Sequence, residues 1–292
     1  MRMSIAQAAQ AACLLEVSAP KPGNVSRQCD FTDLRYEDFL LSALAIGPAM
    51  ESAGRQSLGQ TILTAIQDTR RMVQTNTNLG IVLLLAPLAR ELARLPDSSG
   101  RNSAEPVNLD KLRKSLARSL SELTVEDAQK AFAAIRLAQA GWMGRVSQGD
   151  VFEEPTISLF QAMALAQERD SIAREYTSGF EVTFETGYKA LKYAYPLTGD
   201  FSLAIVQAYL TILAHVPDTL IGRKRGMEKA AEVSSWAAET LRLGGVLTTE
   251  GRESLARLDV ALRDERHTLN PGATADLTAA ALFLFLYCQP EP

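Results

Sequence analysis

Histidine and cysteine are scarce in this chain. His215 and His267 are its two histidines, and Cys13, Cys29 and Cys288 its three cysteines. None of the cysteines forms a CxxC pair, so no Cys/His zinc site is expected, and the cytoplasm is the expected compartment. A basic excess is missing as well. The net charge of −4 argues against a general nucleic-acid binder, leaving the local cluster Arg223-Lys224-Arg225 to meet a small polyanion. Long apolar runs are absent too. Residues 279–288 are strongly apolar but far too few to span a bilayer, and the N-terminus carries Gln7, Gln10 and Glu16 where a signal peptide keeps an unbroken apolar region. No membrane role is expected. Aromatic residues make up 7% of a chain that is 47% hydrophobic, so Leu, Ala, Ile and Val must build the core.

What is present is helical periodicity. Ile5, Ala8, Ala12 and Leu15 share one face of an opening helix over 4–17. Further helices are expected over 36–53, kinked at Gly47-Pro48, and over 57–73, 79–95 and 109–120. Thr124 with Asp127 forms a weak capping box for a helix reaching about 139. Asp150, Glu153 and Glu154 precede Pro155, an arrangement that suits the dipole of a Pro-initiated helix. One helix is expected over 170–189. Another is capped by Asp200, buries Leu203, Val206, Leu210 and Leu213, and stops before Pro217. Two more, over 228–243 and 250–266, precede a final apolar helix. No strand of consequence is expected. The fold class is all-α: one domain over 1–292 with about twelve helices, and a loop break at 96–108.

Three loop-to-helix entrances carry small polar residues, around Lys21, Asn76 and Pro271. In Pro20-Lys21-Pro22-Gly23-Asn24 the two prolines stiffen the backbone and hold Lys21 outside a helix, with its ammonium free to point at an anion. Taken alone, the segment is as well explained by a helix stop and a turn. Thr75-Asn76-Thr77-Asn78 precedes a long apolar run, which suits either a capped N-terminus or a phosphate or sugar site. Glu181 and Glu185 lie four apart on one helix face, where acids are usually solvated and could also ligate Mg²⁺. Asp218 and Thr219 stand just upstream of Arg223.

Together, Pro20-Lys-Pro-Gly-Asn24, Asn76-Thr77, Arg174-Glu175 with Gly179-Phe180, Asp218-Thr219 and Asn270-Pro-Gly-Ala-Thr-Ala-Asp276 resemble the triphosphoribosyl-dephospho-CoA synthase family, in the family's order and over most of the chain. The resemblance implies an all-α transferase that joins the triphosphoribosyl group of ATP to the ribose 2′-hydroxyl of 3′-dephospho-CoA and releases adenine, giving a prosthetic-group precursor. It implies catalytic or metal-ligating roles for Glu175 and Asp218, with Asp33 as a further Mg²⁺ ligand. Lys21, Asn24, Asn76, Thr77, Arg174, Arg223 and Asp276 are the implied substrate-binding residues. The expected partners are ATP and a dephospho-CoA-like acceptor, with no nucleic acid or membrane; a homodimer is left open.

Two motifs depart from the family pattern. Asn78-Leu79 stands where such proteins carry His-Lys, and Ala273-Thr274 where they carry Gly-Ser. Loss of a lysine from a phosphate-rich site removes about 1.5–3 kcal/mol if it made a charged hydrogen bond. Two other readings therefore stay open: transfer to another acceptor, such as a precursor of a pterin-type one-carbon cofactor, or a helical nucleotide-binding protein without turnover.

Overall fold

The computed structural model describes residues 3–31, 33–95, 107–138 and 153–288. Most of the loop expected over 96–108, the glycine-bounded stretch 141–149 and Asp150 lie outside these residues. Among the described residues there are fifteen α-helices and no named strand.

At the centre is α15 (Gly272–Cys288), whose apolar residues run round its whole circumference. A helix without a polar face has to be enclosed. It packs on α1 (Ile5–Ser18), α5 (Leu79–Ala93), α10 (Tyr188–Thr198) and α11 (Phe201–His215), and residues 279–284 expose 0% of their surface. No single described helix is long and apolar enough to cross a membrane. α11 and the short α12 (Thr219–Arg225) reach that length and apolarity only when taken together, across a 56° bend, and α11 lies against α10, α13 (Met227–Arg242) and α15.

Capping chemistry fixes most helix starts. Ser4 and Gln7 form a capping box on α1, and Thr124 and Asp127 form the expected one on α7 (Val125–Leu137). Asp200 caps α11 as expected. The helix expected over 36–53 divides at Gly47-Pro48 into α2 (Tyr36–Ala45) and α3 (Gly47–Glu51). After Pro155 the next helix starts later than the proline suggested, at α8 (Leu159–Ala166), where Ser158 and Gln161 close another capping box. The remaining helices are α4 (Leu58–Met72), α6 (Leu109–Ser121) and α14 (Thr249–Leu262).

The helix expected over 170–189 is broken. α9 (Ser171–Ser178) ends on left-handed Gly179, and Phe180 follows with φ of 58°. A π-helical turn, Val182–Gly187, then leads into α10. Glu175 enforces the break. Its carboxylate accepts from the Val182 and Thr183 amides at 2.9 Å each and from Thr183 Oγ1 at 2.5 Å, drawing the chain back onto the end of α9. Glu175→Gln substitutes an amide that cannot accept on both sides, so it should cost about 1.5–3 kcal/mol of stability, read from urea unfolding. An unchanged midpoint would show that the break does not depend on this carboxylate.

Candidate functional site

The site begins where α1 stops. Pro20 and Pro22 prevent the helix from continuing, and Ala19 takes an extended conformation. Lys21 does not point outward. It is fully buried, and its ammonium folds back beneath the end of α1, donating to the Glu16 carbonyl at 2.5 Å and the Ala19 carbonyl at 3.3 Å, with Glu16 Oε1 at 3.0 Å. The carbonyl end of a helix and a buried carboxylate attract a cation more strongly than the open position assumed from the prolines alone. Burial pushes the Lys21 pKa down and that of Glu16 up, each opposed by the charge of the other.

The following residues are anchored from far along the chain. Tyr209 donates its hydroxyl to the Pro22 carbonyl at 2.9 Å, and the Gly23 amide donates to Asp259 at 2.8 Å. Asn24 is thereby placed beside Asn270, donating to its Oδ1 at 2.9 Å. At the second entrance, Asn76 accepts from the Leu79 amide at 3.2 Å, and the Thr77 and Ser42 hydroxyls are paired. Asn78 turns inward, donating to Thr69 Oγ1 and the Ser42 carbonyl. The third entrance is held by Asp218. Its Oδ1 accepts from the Leu220 and Ile221 amides, and its Oδ2 from the Thr274 amide at 2.7 Å and hydroxyl at 2.8 Å.

These entrances converge on a cavity of about 730 Å³. Asn24, Asp33, Asn76, Thr77, Arg223 and Asp276 all line it, joined by Glu16, Arg169, Asp170, Lys224 and Asn270; Leu83, Phe132, Ile135, Met163 and Ile172 form an apolar side. Lys21, Arg174, Glu175 and Asp218 are not on the wall. Glu175 and Asp218, expected in catalytic or metal-ligating roles, are both buried off this wall, and their oxygens accept from the backbone and threonines around them. Arg174, expected to bind substrate, donates to the Gln167 carbonyl and sits 3.6 Å from Glu168. The expected metal set Asp33, Glu175 and Asp218 is not assembled, and no cluster of three or more His, Cys, Asp or Glu able to hold an ion occurs among the described residues.

The wall mixes charges. Arg169, Arg223 and Lys224 face Glu16, Asp33, Asp170 and Asp276, with Arg223 and Asp170 3.4 Å apart. Asp276 sits against the first turn of α5: a Cβ on Gly80 would lie 2.1 Å from its Oδ2, so only glycine admits the carboxylate there. Burial pushes the Asp276 pKa well up, reinforced by Glu16, Asp218 and Asp170 and opposed by Arg223.

Fold and site together define an all-α protein with a cavity of mixed charge and apolar lining at converging helix entrances. The chain belongs to the family described as CitG, ATP:dephospho-CoA triphosphoribosyl transferase, whose model matches residues 2–291. A 2-(5''-triphosphoribosyl)-3'-dephosphocoenzyme-A synthase of Klebsiella pneumoniae is 26% identical over 96% of this chain and 89% of its own length. The counterpart in Pectobacterium atrosepticum is 34% identical over 39% of this chain, and the aligned part spans 35% of that protein, little more than a third of its length. The crystal structure named "putative triphosphoribosyl-dephospho-coA synthase" from Archaeoglobus fulgidus superposes with a TM-score of 0.60 at 26% identity, covering 85% of this chain and 97% of that one.

The raised pKa of Asp276 makes stability depend on pH. An acid whose folded-state pKa is raised costs nothing while both states are protonated, and stability is lost as pH climbs past the ordinary carboxylate value near ~4. Asp276→Asn should therefore raise the melting temperature more at about pH 8 than at about pH 5. Equal shifts at the two pH values would contradict the raised pKa.

Proposed function

We propose that this protein transfers the 5-triphosphoribosyl group of ATP to the ribose 2′-hydroxyl of 3′-dephospho-CoA and releases adenine, in the cytoplasm, as a step towards a prosthetic group. The observation that carries this reading is the family match along the whole chain, and the cavity chemistry agrees with it. The alternative acceptor and the binding-only protein draw no support from these relatives.

The reaction breaks the N-glycosidic bond at C1′ and forms a C1′–O2′ bond, with positive charge building on the sugar ring. The triphosphate has to be held still meanwhile. Arg223, Lys224 and Arg169 are the cations on the cavity wall, and the entrance to α5 adds the partial positive charge of a helix N-terminus. Asn24, Asn270, Asn76 and Thr77 offer hydrogen bonds for hydroxyls. The apolar side excludes water from the ring cation, where electrostatic stabilisation by fixed groups is strongest.

Among the described residues no cluster of three or more carboxylates, histidines or cysteines makes a protein cage for Mg²⁺. An ion brought in by the triphosphate needs only one or two carboxylates, because Mg²⁺ keeps several waters when it binds through phosphates. Asp33 is the exposed carboxylate placed to meet it. Such an ion would neutralise phosphate charge. Glu175, Asp218 and Lys21 act in this scheme by positioning the backbone and Glu16.

Incubation with ATP, Mg²⁺ and dephospho-CoA should yield adenine, detected by chromatography, only when both substrates are present. No adenine from folded protein that binds ATP would remove dephospho-CoA as the acceptor. Arg223→Met should weaken ATP binding by about 1.5–3 kcal/mol, about tenfold to 150-fold in Kd, measured by titration. Unchanged affinity would take Arg223 out of phosphate binding.

A further inference from the structure

Glu16 belongs to no local motif, yet it ends up on the cavity wall, buried to 3% exposure. Its partner is Lys21, which is not on the cavity wall and whose ammonium lies 3.0 Å from Glu16 Oε1. A buried ammonium with no access to substrate needs a local reason to be there, because burying an unpaired charge is costly. Opposing the burial that pushes up the pKa of a neighbouring carboxylate on the cavity wall is such a reason.

Asp276 lies on the same wall in the opposite electrostatic setting. The charges it meets are Glu16 from α1, Asp218 and Asp170 from the caps of α12 and α9, and Arg223 from α12. Glu16 meets Lys21, with Cys13 on its own helix, Asp276 on α15 and Tyr209 on α11. Two carboxyl groups in one cavity, one beside a cation and the other among acids, divide into a base and an acid. The wall also carries four acids against three cations, so a triphosphate is accommodated more readily with one acid neutral.

We infer that Glu16 and Asp276 are the proton-transfer pair of the reaction, Glu16 as general base to the acceptor hydroxyl and Asp276 as general acid to the departing adenine, with Lys21 positioning and charging Glu16. The inference rests on the transferase reading above. The oxygen lone pair of the 2′-hydroxyl forms the bond to C1′ as its proton passes to Glu16. The C1′–N9 electron pair leaves with adenine, which takes a proton from Asp276. Glu16 then holds the proton that Asp276 has lost, and its return to Asp276 restores both groups. Net, the hydroxyl proton ends on adenine, and no oxidant or further reactant enters.

The test is adenine release against pH for the wild type, Glu16→Gln and Asp276→Asn, with ATP-dependent melting shifts measured alongside. The wild type should show a bell-shaped rate. Glu16→Gln should lower the rate by about 10²–10⁴-fold and lose the acid limb, Asp276→Asn should lose the alkaline limb, and both should keep the ATP-dependent rise in melting temperature. Because Glu16→Gln leaves Lys21 buried without its carboxylate, the double variant Glu16→Gln/Lys21→Met serves as the folded control and should remain slow. A Glu16→Gln rate within about threefold of wild type, a profile keeping both limbs, or wild-type rate in the double variant would overturn the assignment. Adenine release by neither the wild type nor any variant removes the transferase reading and this inference with it.

Discussion

The arrangement depends on how the central helix is entered. α15 is apolar on all sides, so its first turn lies within the protein, where unpaired amides are costly. Asp218 supplies the acceptors. One oxygen caps α12 and the other takes the Thr274 amide and hydroxyl, so a single carboxylate fixes the angle between the two helices. That angle carries Asp276 onto Gly80 at the start of α5 and sets Asn270 against Asn24. The cavity is the space left where these ends meet.

Buried charge explains why several residues with catalytic chemistry serve the frame. Glu175, Asp218 and Lys21 each lie out of contact with water, and a charge in that position persists only with partners close by. Glu175 draws two amides and a threonine hydroxyl, Asp218 draws three amides and a threonine hydroxyl, and Lys21 draws two carbonyls and Glu16. Their bonds hold a left-handed break, a helix crossing and a helix stop.

The departures from the family pattern read differently in three dimensions. Asn78 is drawn inward to Thr69 and Ser42, so its amide joins the frame, while Leu79 contributes an apolar patch to the wall. The cations on the wall, Arg169, Arg223 and Lys224, are contributed by the residues before α9 and by α12.

Sequence by itself determined the helices, because capping and periodicity are short-range: the Ser4 and Thr124 boxes, the Asp200 cap, the Gly47-Pro48 division and the enclosed final helix all follow from residues within a few positions of one another. It also marked the three loop-to-helix entrances around Lys21, Asn76 and Pro271. The break after α9 escaped it because the apolar period continues through Gly179-Phe180 and the carboxylate that bends the chain lies a turn earlier. Only the tertiary structure decided which charged groups face the cavity. Glu16 and Lys21 are five residues apart, and no local pattern says which of them turns inward; that follows from the carbonyls ending α1 and from Asp276, brought alongside by a helix far along the chain. Electrostatic roles are set by distance in space, which sequence separation does not fix.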